Sequence, residues 1–391
     1  DNQDNCGAPV VTETQHHPIF QPVMRLAATL LLPVLASATT GYAFKYDAIR
    51  AQEIERLNLL PGMTWKAGFN ARFQGHPLNA SKELCGVKPG NLERMQELIR
   101  NGSIKMVNST MLGAKDIPTD FDSETNWPEC SKVIGDIRDQ SNCGCCWAFG
   151  AAEAASDRLC IATGGKVKVP LSSQEMCFCA ERNGCGGGFL DLAWSYIAKT
   201  GLVTGGQYNG TGPFGPDAGF CSAFSLPHCH HHGPQGDDPY PDEGAAGCPS
   251  ARSPACPKEC DSDAKAPFDD FFTARYTYTG RPESYPRAED IQTAIMTNGP
   301  VETAFTVYSD FENYVSGVYQ KTSSQVLGGH AVRIVGWGVD KGVKYWKVAN
   351  SWNPYWGEKG YFRIIRGVDE CGIERQAMAS PAKAEWSGPG I

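Results

Sequence analysis

The run from Asp139 to Phe149 constrains this chain most, because it places a cysteine at the start of a predicted buried helix. Gln140 precedes Cys146, and the following segment, 147–160, is apolar and alanine-rich with no glycine or proline after Gly150. This composition predicts a helix. A cysteine at a helix N-terminus feels unpaired N–H groups and the positive end of the helix dipole, both of which favour the thiolate. Cys146 is therefore a candidate nucleophile, although most cysteines are disulfide halves or small core residues.

Two later segments offer partners for such a nucleophile. His330 lies in an alternating apolar stretch typical of a strand, and Asn350 follows in a segment rich in tryptophan. A lone histidine beside glycines is usually structural. A cysteine followed by a late histidine and then an asparagine has the order and spacing of the papain-like proteases. The chain resembles this family of C1 cysteine proteases and, within it, the cathepsin B group.

The resemblance implies a role for each of these residues. Cys146 would attack the peptide carbonyl and form a thioester, and His330 would serve as its acid and base partner. Asn350 would orient the histidine, and the Gln140 amide with the Cys146 N–H would form the oxyanion hole. Trp352 would shield the histidine and line the substrate cleft, or would be ordinary core. The substrates would be peptides and proteins, and neither a metal nor an organic cofactor is implied.

The fold implied is α+β and papain-like, with two lobes. Helices around Cys146 would form the left lobe, and strands after about residue 290 would form an antiparallel, barrel-like right lobe. The expected strands are 301–307, 331–339, 344–348 and 360–365. The active-site cleft would lie between the lobes, where sites commonly occur.

Two further elements of the resemblance concern substrate recognition. Gly187 and Gly188 match the glycine-rich wall against which substrate backbone pairs, and a plain glycine-rich turn is the weaker alternative. Gln376 occupies the position at the base of the S2 pocket where cathepsin B carries an acidic residue. Because glutamine is neutral, we expect Phe or Leu to be preferred over Arg at P2.

The insertion at about 221–260 is rich in glycine, proline and cysteine, and is too long for a simple connection. It resembles the occluding loop, in which His231 and His232 would bind the C-terminal carboxylate of substrate and release dipeptides. Asp139 would anchor the first histidine. Tyr355 stands where a second anchor would need an aspartate, so we expect a looser loop and strong endopeptidase activity beside dipeptidyl carboxypeptidase activity. A zinc site and a solvated insertion remain alternatives.

The cysteines imply an oxidising compartment, since there are 16 of them in 391 residues. Cys145 departs from the family, which usually has serine there. It would form a vicinal disulfide with Cys146 or be a thiol without a role, and Cys177 and Cys371 would be free. The resemblance implies the disulfides Cys130–Cys160, Cys143–Cys185, Cys179–Cys256, Cys221–Cys260 and Cys229–Cys248.

The net charge and the targeting signals limit which partners the protein could bind and in which cellular compartment it would act. A net charge of −8 and a pI of about 5.6 argue against nucleic acid. Residues 24–38 read as a signal peptide, so residues 1–23 would be an upstream over-extension. The protein would pass through the secretory pathway to a lysosome-like compartment or to the outside of the cell, and would have no membrane contact after removal of the signal peptide. Sequons begin at Asn79, Asn101, Asn108 and Asn209.

The remaining chain divides into an inhibitory propeptide, 39–116, and a mature protease domain, 117–391. The first carries Trp65-Lys66-Ala67-Gly68 and Leu84-Cys85-Gly86, which resemble motifs of the cathepsin B propeptide. The partners implied are this propeptide and cystatin-type inhibitors, and the enzyme is expected to be a monomer. The rival hypothesis is a catalytically inactive homologue that binds peptides.

Overall fold

The fold was obtained as a computed structural model, which describes residues 32–113, 116–208, 212–226, 252–266, 268–271, 275–381 and 384–388. Contacts divide the chain into two units, 1–42 and 43–391. The first is described only from Leu32 onward, as the beginning of helix α1 (Leu32–Asn58), and apart from that helix everything below concerns the second. The predictions for residues 1–23, for His231 and His232, and for the Cys229–Cys248 disulfide lie outside the described residues. None of the helices within these ranges is long and apolar enough to cross a membrane.

The helices occur mainly in the first half of the chain. They are α1 (Leu32–Asn58), α2 (Asn91–Arg100), α3 (Ser123–Asn126), α4 (Ser131–Ile134), α5 (Cys146–Ala162), α6 (Ser173–Cys179), α7 (Leu190–Thr200) and α8 (Ala288–Asn298). The helix predicted after Cys146 is confirmed as α5, which begins at the cysteine itself. It is buried from Cys146 to Cys160 because its alanines let neighbouring elements approach closely.

The strands dominate the second half, as predicted. They are β1 (Trp65–Ala67), β2 (Lys105–Met106), β3 (Phe121–Asp122), β4 (Leu202–Val203), β5 (Arg275–Tyr278), β6 (Glu283–Ser284), β7 (Val301–Tyr308), β8 (Tyr314–Tyr319), β9 (Val326–Asp340), β10 (Val343–Ala349), β11 (Tyr361–Ile365), β12 (Met378–Ala379) and β13 (Ala384–Trp386). The four segments predicted as strands from residue 301 onward correspond to β7, β9, β10 and β11.

The main sheet has the order β1-β8-β11-β10-β9-β7-β12-β6-β2, with β3 added beside β9. The predicted α+β fold class is confirmed, and two details of the expected antiparallel, barrel-like lobe differ. Its pairs are antiparallel except β8–β11 and β2–β6, which are parallel. In the described part of the chain the end strands β1 and β2 pair with β8 and β6, not with each other, so the sheet does not close into a barrel. Both end strands come from the predicted propeptide.

A buried ion-pair network joins α5 to the sheet. Arg333 on β9 lies 2.6 Å from a carboxylate oxygen of Asp157 and 3.4 Å from one of Glu153, both on α5. All three side chains are almost completely buried. Because separating such a pair would leave an uncompensated buried charge, the network fixes α5 relative to β9.

Disulfides fasten the loops around the helical lobe. The structure contains Cys130–Cys160, Cys143–Cys185, Cys179–Cys256 and Cys221–Cys260, four of the five pairs that the resemblance implies. The second of these joins the loop before α5 to the glycine-rich segment after α6. Within the described residues the free cysteines are Cys85, Cys145, Cys146, Cys177 and Cys371.

Candidate active site

Cys146 lies at the first residue of α5, where the helix meets the sheet. Its thiol is buried and accepts hydrogen bonds from two backbone N–H groups, of Gly86 at 3.2 Å and of Ala331 at 3.3 Å. Ala331 follows His330 on β9, so the α5–β9 packing brings the predicted nucleophile and the predicted histidine to the same place.

His330 is held by the two partners that the sequence pointed to. Its Nε2 lies 2.8 Å from Oδ1 of Asn350, just after β10. The Trp352 ring packs against the imidazole with centroids 5.0 Å apart. Asn350 and Trp352 are both completely buried. One ring nitrogen is therefore fixed, and the aromatic neighbour keeps water away from the hydrogen bond.

Gln140 presents its side-chain amide to the same region. Its Nε2 donates to the carbonyl of Leu84 at 3.0 Å and to that of Cys143 at 2.7 Å. The Ser351 hydroxyl donates to Gln140 Oε1 at 2.7 Å, which fixes the amide orientation. The Leu84 carbonyl, which belongs to the segment 39–116, therefore occupies the Gln140 amide N–H group. That amide is the donor expected to stabilise an oxyanion.

Burial keeps the cysteine and the histidine uncharged in this arrangement. Burial raises the pKa of Cys146 to about 12, against the opposing effect of its N–H donors. Burial also lowers the pKa of His330 to about 4, although the hydrogen bond with Asn350 and the nearby Leu84 carbonyl favour its protonation. Between pH 5 and pH 8 this form therefore holds a thiol and a neutral imidazole.

The covering segment 84–88 runs along the glycine-rich wall. Gly188 donates its N–H to the Gly86 carbonyl at 2.9 Å, and its carbonyl accepts from the Lys88 N–H at 3.0 Å. The Val87–Gly188 bridge is parallel, whereas the Val87–Gly329 bridge on the other side is antiparallel. The segment is therefore clamped between both walls of the cleft.

Glycine is required at three of these positions for steric reasons. A Cβ at Gly188 would lie 2.4 Å from the Trp147 indole, and one at Gly187 would lie 2.8 Å from the Gly86 carbonyl oxygen. A Cβ at Gly86 would lie 1.7 Å from the Gly144 carbonyl oxygen. Such contacts leave no space for a side chain, so these glycines allow backbone to approach backbone at the cleft.

A cavity of about 770 Å³ opens beside this segment, and Gln376 contributes to its lining. Gln376 Nε2 donates to the Ala304 carbonyl at 3.2 Å, and its Oε1 accepts from Asn91 Nδ2 on α2 at 2.9 Å. Phe305 supplies an aromatic wall. The residue expected in S2 thus lies in a cavity of mixed polar and apolar lining that is partly covered by α2.

Sequence reasoning missed Arg72, which is buried in the cleft. Its Nη1 lies 2.9 Å from both carboxylate oxygens of Asp139, and its Nη2 donates to the Ser141 carbonyl at 2.7 Å. The neighbouring Phe73 packs edge-on against Trp352, with centroids 5.5 Å apart. The only available signal was an arginine beside a phenylalanine shortly after the Trp65–Gly68 motif.

A second missed residue, Arg50 on α1, is buried against the short helical turn that precedes β8. Its Nη1 lies 3.2 Å from Oε2 of Glu312 and 2.9 Å from Oδ1 of Asn313. Glu312 also accepts the N–H groups of Asn79 and Ser81. Since both charged side chains are completely buried, this cluster ties residues 39–116 to the sheet lobe.

The described residues bring together one group of three metal-ligating side chains, Cys143, Cys177 and Cys185. Two of them are joined in a disulfide and have no thiolate to offer. The group therefore does not suit a metal ion. The zinc alternative for the histidine-rich insertion falls on residues that are not described.

Known proteins are similar to this chain in sequence over most of its length. A family profile described as "Papain family cysteine protease" matches residues 117–381. The "Cathepsin B-like cysteine proteinase" of Schistosoma japonicum is 40% identical over 354 residues, covering 89% of this chain and 95% of that protein. The "Cathepsin B-like cysteine proteinase 5" of Caenorhabditis elegans is 47% identical over 277 residues, covering 67% and 74%.

Solved structures share the fold, and several are precursors. The "proCathepsin B S9 from Trypanosoma congolense" matches with a TM-score of 0.63 and 29% identity, over 84% of this chain and 97% of that one. The digestive procathepsin L 3 of Tenebrio molitor matches with a TM-score of 0.59, over 89% and 92%. At 21% identity the second comparison bears on the fold alone.

Proposed function

Because this chain belongs to the cathepsin B-like cysteine proteases of the papain family, we propose that Cys146 is its nucleophile and His330 its acid and base partner. The observation that carries the proposal is the meeting of α5 and β9. The Cys146 thiol accepts the N–H of the residue after His330, and His330 is hydrogen-bonded to Asn350. A helix N-terminus, an oriented imidazole and a side-chain amide are the parts that thiol catalysis needs.

The reaction then follows from these positions. Once the cleft is open, water and substrate replace the covering segment, and the proton of Cys146 passes to His330 to give a thiolate and an imidazolium. The thiolate attacks the peptide carbonyl, whose oxygen takes the place of the Leu84 carbonyl on Gln140. His330 donates its proton to the leaving amine, leaving a thioester. A water molecule, deprotonated by His330, hydrolyses the thioester and regenerates the thiol.

The protein is a zymogen, and we assign its inhibitory propeptide to residues 39–116 and its mature domain to 117–391. The Leu84 carbonyl on Gln140 and the Gly86 N–H on Cys146 support this assignment, because both block catalytic groups. The parallel pairing of Val87 with Gly188 supports a direction opposite to that of substrate, which keeps the segment from being cleaved. Processing would occur near 112–117.

The narrower activity proposed is endopeptidase together with dipeptidyl carboxypeptidase activity. The second depends on His231 and His232 in the insertion, which would bind the terminal carboxylate of a substrate. Asp139, the expected anchor of the first of these histidines, is buried beside Gln140, a position that suits this role. We further propose that the open cleft binds cystatin-type inhibitors, that the enzyme is a monomer, and that it works in a lysosome-like compartment or outside the cell.

Active-site titration of the processed protein with an epoxysuccinyl peptide at pH 5.5 tests the catalytic assignment. One adduct per chain, located on Cys146 by mass mapping, is expected. The Cys146→Ala variant should take up no inhibitor and hydrolyse no peptide, whereas Cys371→Ser, which removes a different free thiol, should titrate as the wild type. A processed wild-type protein that folds but takes up no inhibitor would favour an inactive peptide-binding homologue.

A further inference from the structure

The carboxylate of Glu312, in the turn Phe311–Asn313, receives its hydrogen bonds from the proposed propeptide. Its Oε2 accepts from both Nη atoms of Arg50 at 3.2 Å and from the Asn79 N–H at 3.1 Å. Its Oε1 accepts from the Ser81 N–H at 2.6 Å. In the part of the chain that the structure describes, every hydrogen-bond donor to this carboxylate therefore precedes the mature domain.

The neighbouring Asn313 offers Arg50 a second acceptor. Its Oδ1 accepts from Nη1 at 2.9 Å, so Nη1 is shared between an amide oxygen and a carboxylate oxygen, while Nη2 contacts the same carboxylate. All three side chains are completely buried in the zymogen. A planar guanidinium has several donors in a fixed geometry, whereas the ammonium group of lysine is a compact point charge. Glu312 and Asn313 therefore form an acceptor pair that suits arginine.

The turn is held in place by contacts within the mature domain. Asp310 accepts from the Tyr319 hydroxyl at 2.7 Å and from the Thr322 N–H at 2.6 Å. Phe311 packs edge-on against Trp352, with ring centroids 5.6 Å apart. These partners all stay when the propeptide leaves. The acceptor pair is thus already ordered in the mature enzyme, which lowers the entropic cost of binding a ligand there.

Removal of the propeptide takes the donors away from this acceptor pair. Arg50, Asn79 and Ser81 all lie before the expected processing region near 112–117. A carboxylate that is completely buried in the zymogen then faces solvent. A cationic side chain of another molecule can take the place of the Arg50 guanidinium.

The path of the propeptide places Glu312 on the primed side of the cleft. Helix α2 covers Gln376 in the expected S2 pocket. Gly86 donates its N–H to Cys146. Farther along the propeptide from Gln376, Ser81 donates its N–H to Glu312. The expected S2 pocket and Glu312 therefore lie on opposite sides of the nucleophile.

The length of this path limits which substrate residue can reach the pair. Ser81 lies in the 3₁₀ turn Ala80–Leu84, and Gly86 follows two residues after its end. At about 2 Å per residue in the turn and about 3.4 Å per extended residue, Ser81 lies at most roughly 13 Å from Gly86. An extended substrate covers this length with about three to four residues. The substrate residue that reaches Glu312 is therefore P3′ or P4′.

We propose that Glu312 and Asn313 of the mature enzyme form a subsite for an arginine at P3′ or P4′ of protein substrates. This inference rests on the proposed catalytic site and propeptide, and adds a substrate class to them. In the zymogen, Arg50 shows how a guanidinium is bound by the two acceptors. Because such substrates extend past P2′, the subsite acts in endopeptidase cleavage.

Internally quenched peptides test the subsite with the processed wild-type enzyme. The peptides share one sequence and one scissile bond, verified by mass spectrometry, and carry arginine, lysine or citrulline at P3′ or P4′. Citrulline has nearly the shape of arginine without its charge. At one of these positions kcat/KM should be at least about five-fold higher for arginine than for citrulline, with lysine between them. Equal values for arginine and citrulline at both positions would overturn the proposal.

The Glu312→Gln variant tests whether the preference comes from this carboxylate. The readout is the ratio of kcat/KM for the arginine and citrulline peptides within each enzyme, so differences in general activity cancel. The preference should disappear in Glu312→Gln and persist in Glu289→Gln, which removes an exposed charge on α8. An arginine preference that survives in Glu312→Gln would contradict the subsite. If Glu312→Gln does not fold, the comparison of peptides with the wild type still decides the proposal.

Failure of the proposed function would give a different result. A processed wild-type enzyme that cleaves none of the peptides would contradict the catalytic assignment, and the subsite with it. Equal cleavage of the arginine and citrulline peptides would leave the catalytic assignment standing and remove the subsite alone.

Discussion

Arg72 binds Asp139 through two hydrogen bonds of 2.9 Å from one guanidinium nitrogen, and both side chains are buried. Asp139 directly precedes Gln140, and the family resemblance assigns it to anchor the first histidine of the occluding loop. The propeptide and the loop would then compete for one carboxylate. When the propeptide leaves, Arg72 would release Asp139, and the occluding loop could then dock on this carboxylate. Opening of the cleft and docking of the loop would therefore be linked.

We expect Arg72→Ala to weaken inhibition by the propeptide. Removing one partner of a buried, hydrogen-bonded charge pair costs about 2–5 kcal/mol, because the other charge is left without compensation. At about 3 kcal/mol, the inhibition constant of the isolated propeptide would rise by roughly 100-fold. Titrating the mature enzyme with wild-type and variant propeptide measures this directly.

Arg100→Ala is the matched control, since Arg100 forms an exposed pair with Glu97 on α2 of the same propeptide. Exposed pairs contribute little, about 0–1 kcal/mol, so its inhibition constant should change by less than about five-fold. Equal effects of the two substitutions would show that Arg72 acts only through the total charge of the propeptide.

Cys146 should react far more slowly in the zymogen than in the processed enzyme. Its thiol has a pKa of about 12 and His330 one of about 4 in the covered form, so falling pH alone does not create the ion pair. We expect iodoacetamide to alkylate Cys146 at least about 100-fold more slowly in the intact zymogen from pH 5 to pH 8. Rates measured by mass mapping of the same peptide in both forms provide the comparison. Similar rates would mean that the covering segment does not keep the thiol protonated.

The residues that we propose as catalytic could be singled out from the sequence because each belongs to a local pattern. A helix without breakers follows Cys146, an alternating strand contains His330, and tryptophans surround Asn350. The contact of Arg72 could not be predicted, because its partner Asp139 lies 67 residues away and only tertiary packing brings the two together. The open sheet was also missed. Alternation of apolar and polar residues predicts which segments form strands, but not which strands lie at the edges of the sheet. Here the two edge strands of the main sheet are β1 and β2, which belong to the propeptide.

Deletion of residues 229–248 should raise endopeptidase activity only modestly, by less than about three-fold. Tyr355 replaces the second expected anchor, and a longer loop closure with fewer anchors leaves the insertion easy to displace. Release of dipeptides from C-termini should be lost in the same variant, and also in the double variant His231→Ala/His232→Ala. Cleavage of one internally quenched peptide and of one peptide with a free C-terminus separates the two activities. A large gain in endopeptidase activity would show a tightly closed loop.

Gln376→Glu should shift P2 preference towards arginine. In the zymogen Gln376 Oε1 accepts a hydrogen bond from Asn91, a propeptide residue that leaves on activation, so the position then faces the cavity. A charged hydrogen bond there is worth about 1.5–3 kcal/mol, which predicts a gain of about 10-fold or more in the kcat/KM ratio of Arg-Arg over Phe-Arg substrates. Gln376→Met, of similar size but uncharged, should show no such gain. A wild-type enzyme that already prefers Arg-Arg would contradict the assigned role of Gln376.

The stability of the folded protein should fall as pH rises, because it buries protonated carboxyl groups. Burial raises the pKa of Glu302 well above its ordinary value, although the Trp194 indole N–H donates to it at 2.7 Å. Burial also raises the pKa of Glu153 to about 7, against the opposing effect of Arg333, so Glu153 is protonated in acid and becomes a charged partner of Arg333 above neutral pH. The native state therefore keeps protons that the unfolded chain releases above its ordinary pKa of about 4.3. The stabilisation from these protonated carboxyl groups is complete below about pH 4.3 and is lost as the pH rises through the raised pKa that each group has in the native state.

Glu302→Gln isolates one of these groups, because the amide oxygen can still accept from Trp194 but cannot ionise. In a Cys146→Ala zymogen, which does not process itself, the free energy of unfolding from urea titration should match that of the parent at pH 4.5. At pH 8 the variant should be more stable by at least about 1.4 kcal/mol, the equivalent of one pKa unit. Glu289→Gln, at an exposed position on α8, should change neither value. If Glu302→Gln destabilised the protein equally at both pH values, Glu302 would be a packing residue whose charge plays no part in the pH dependence.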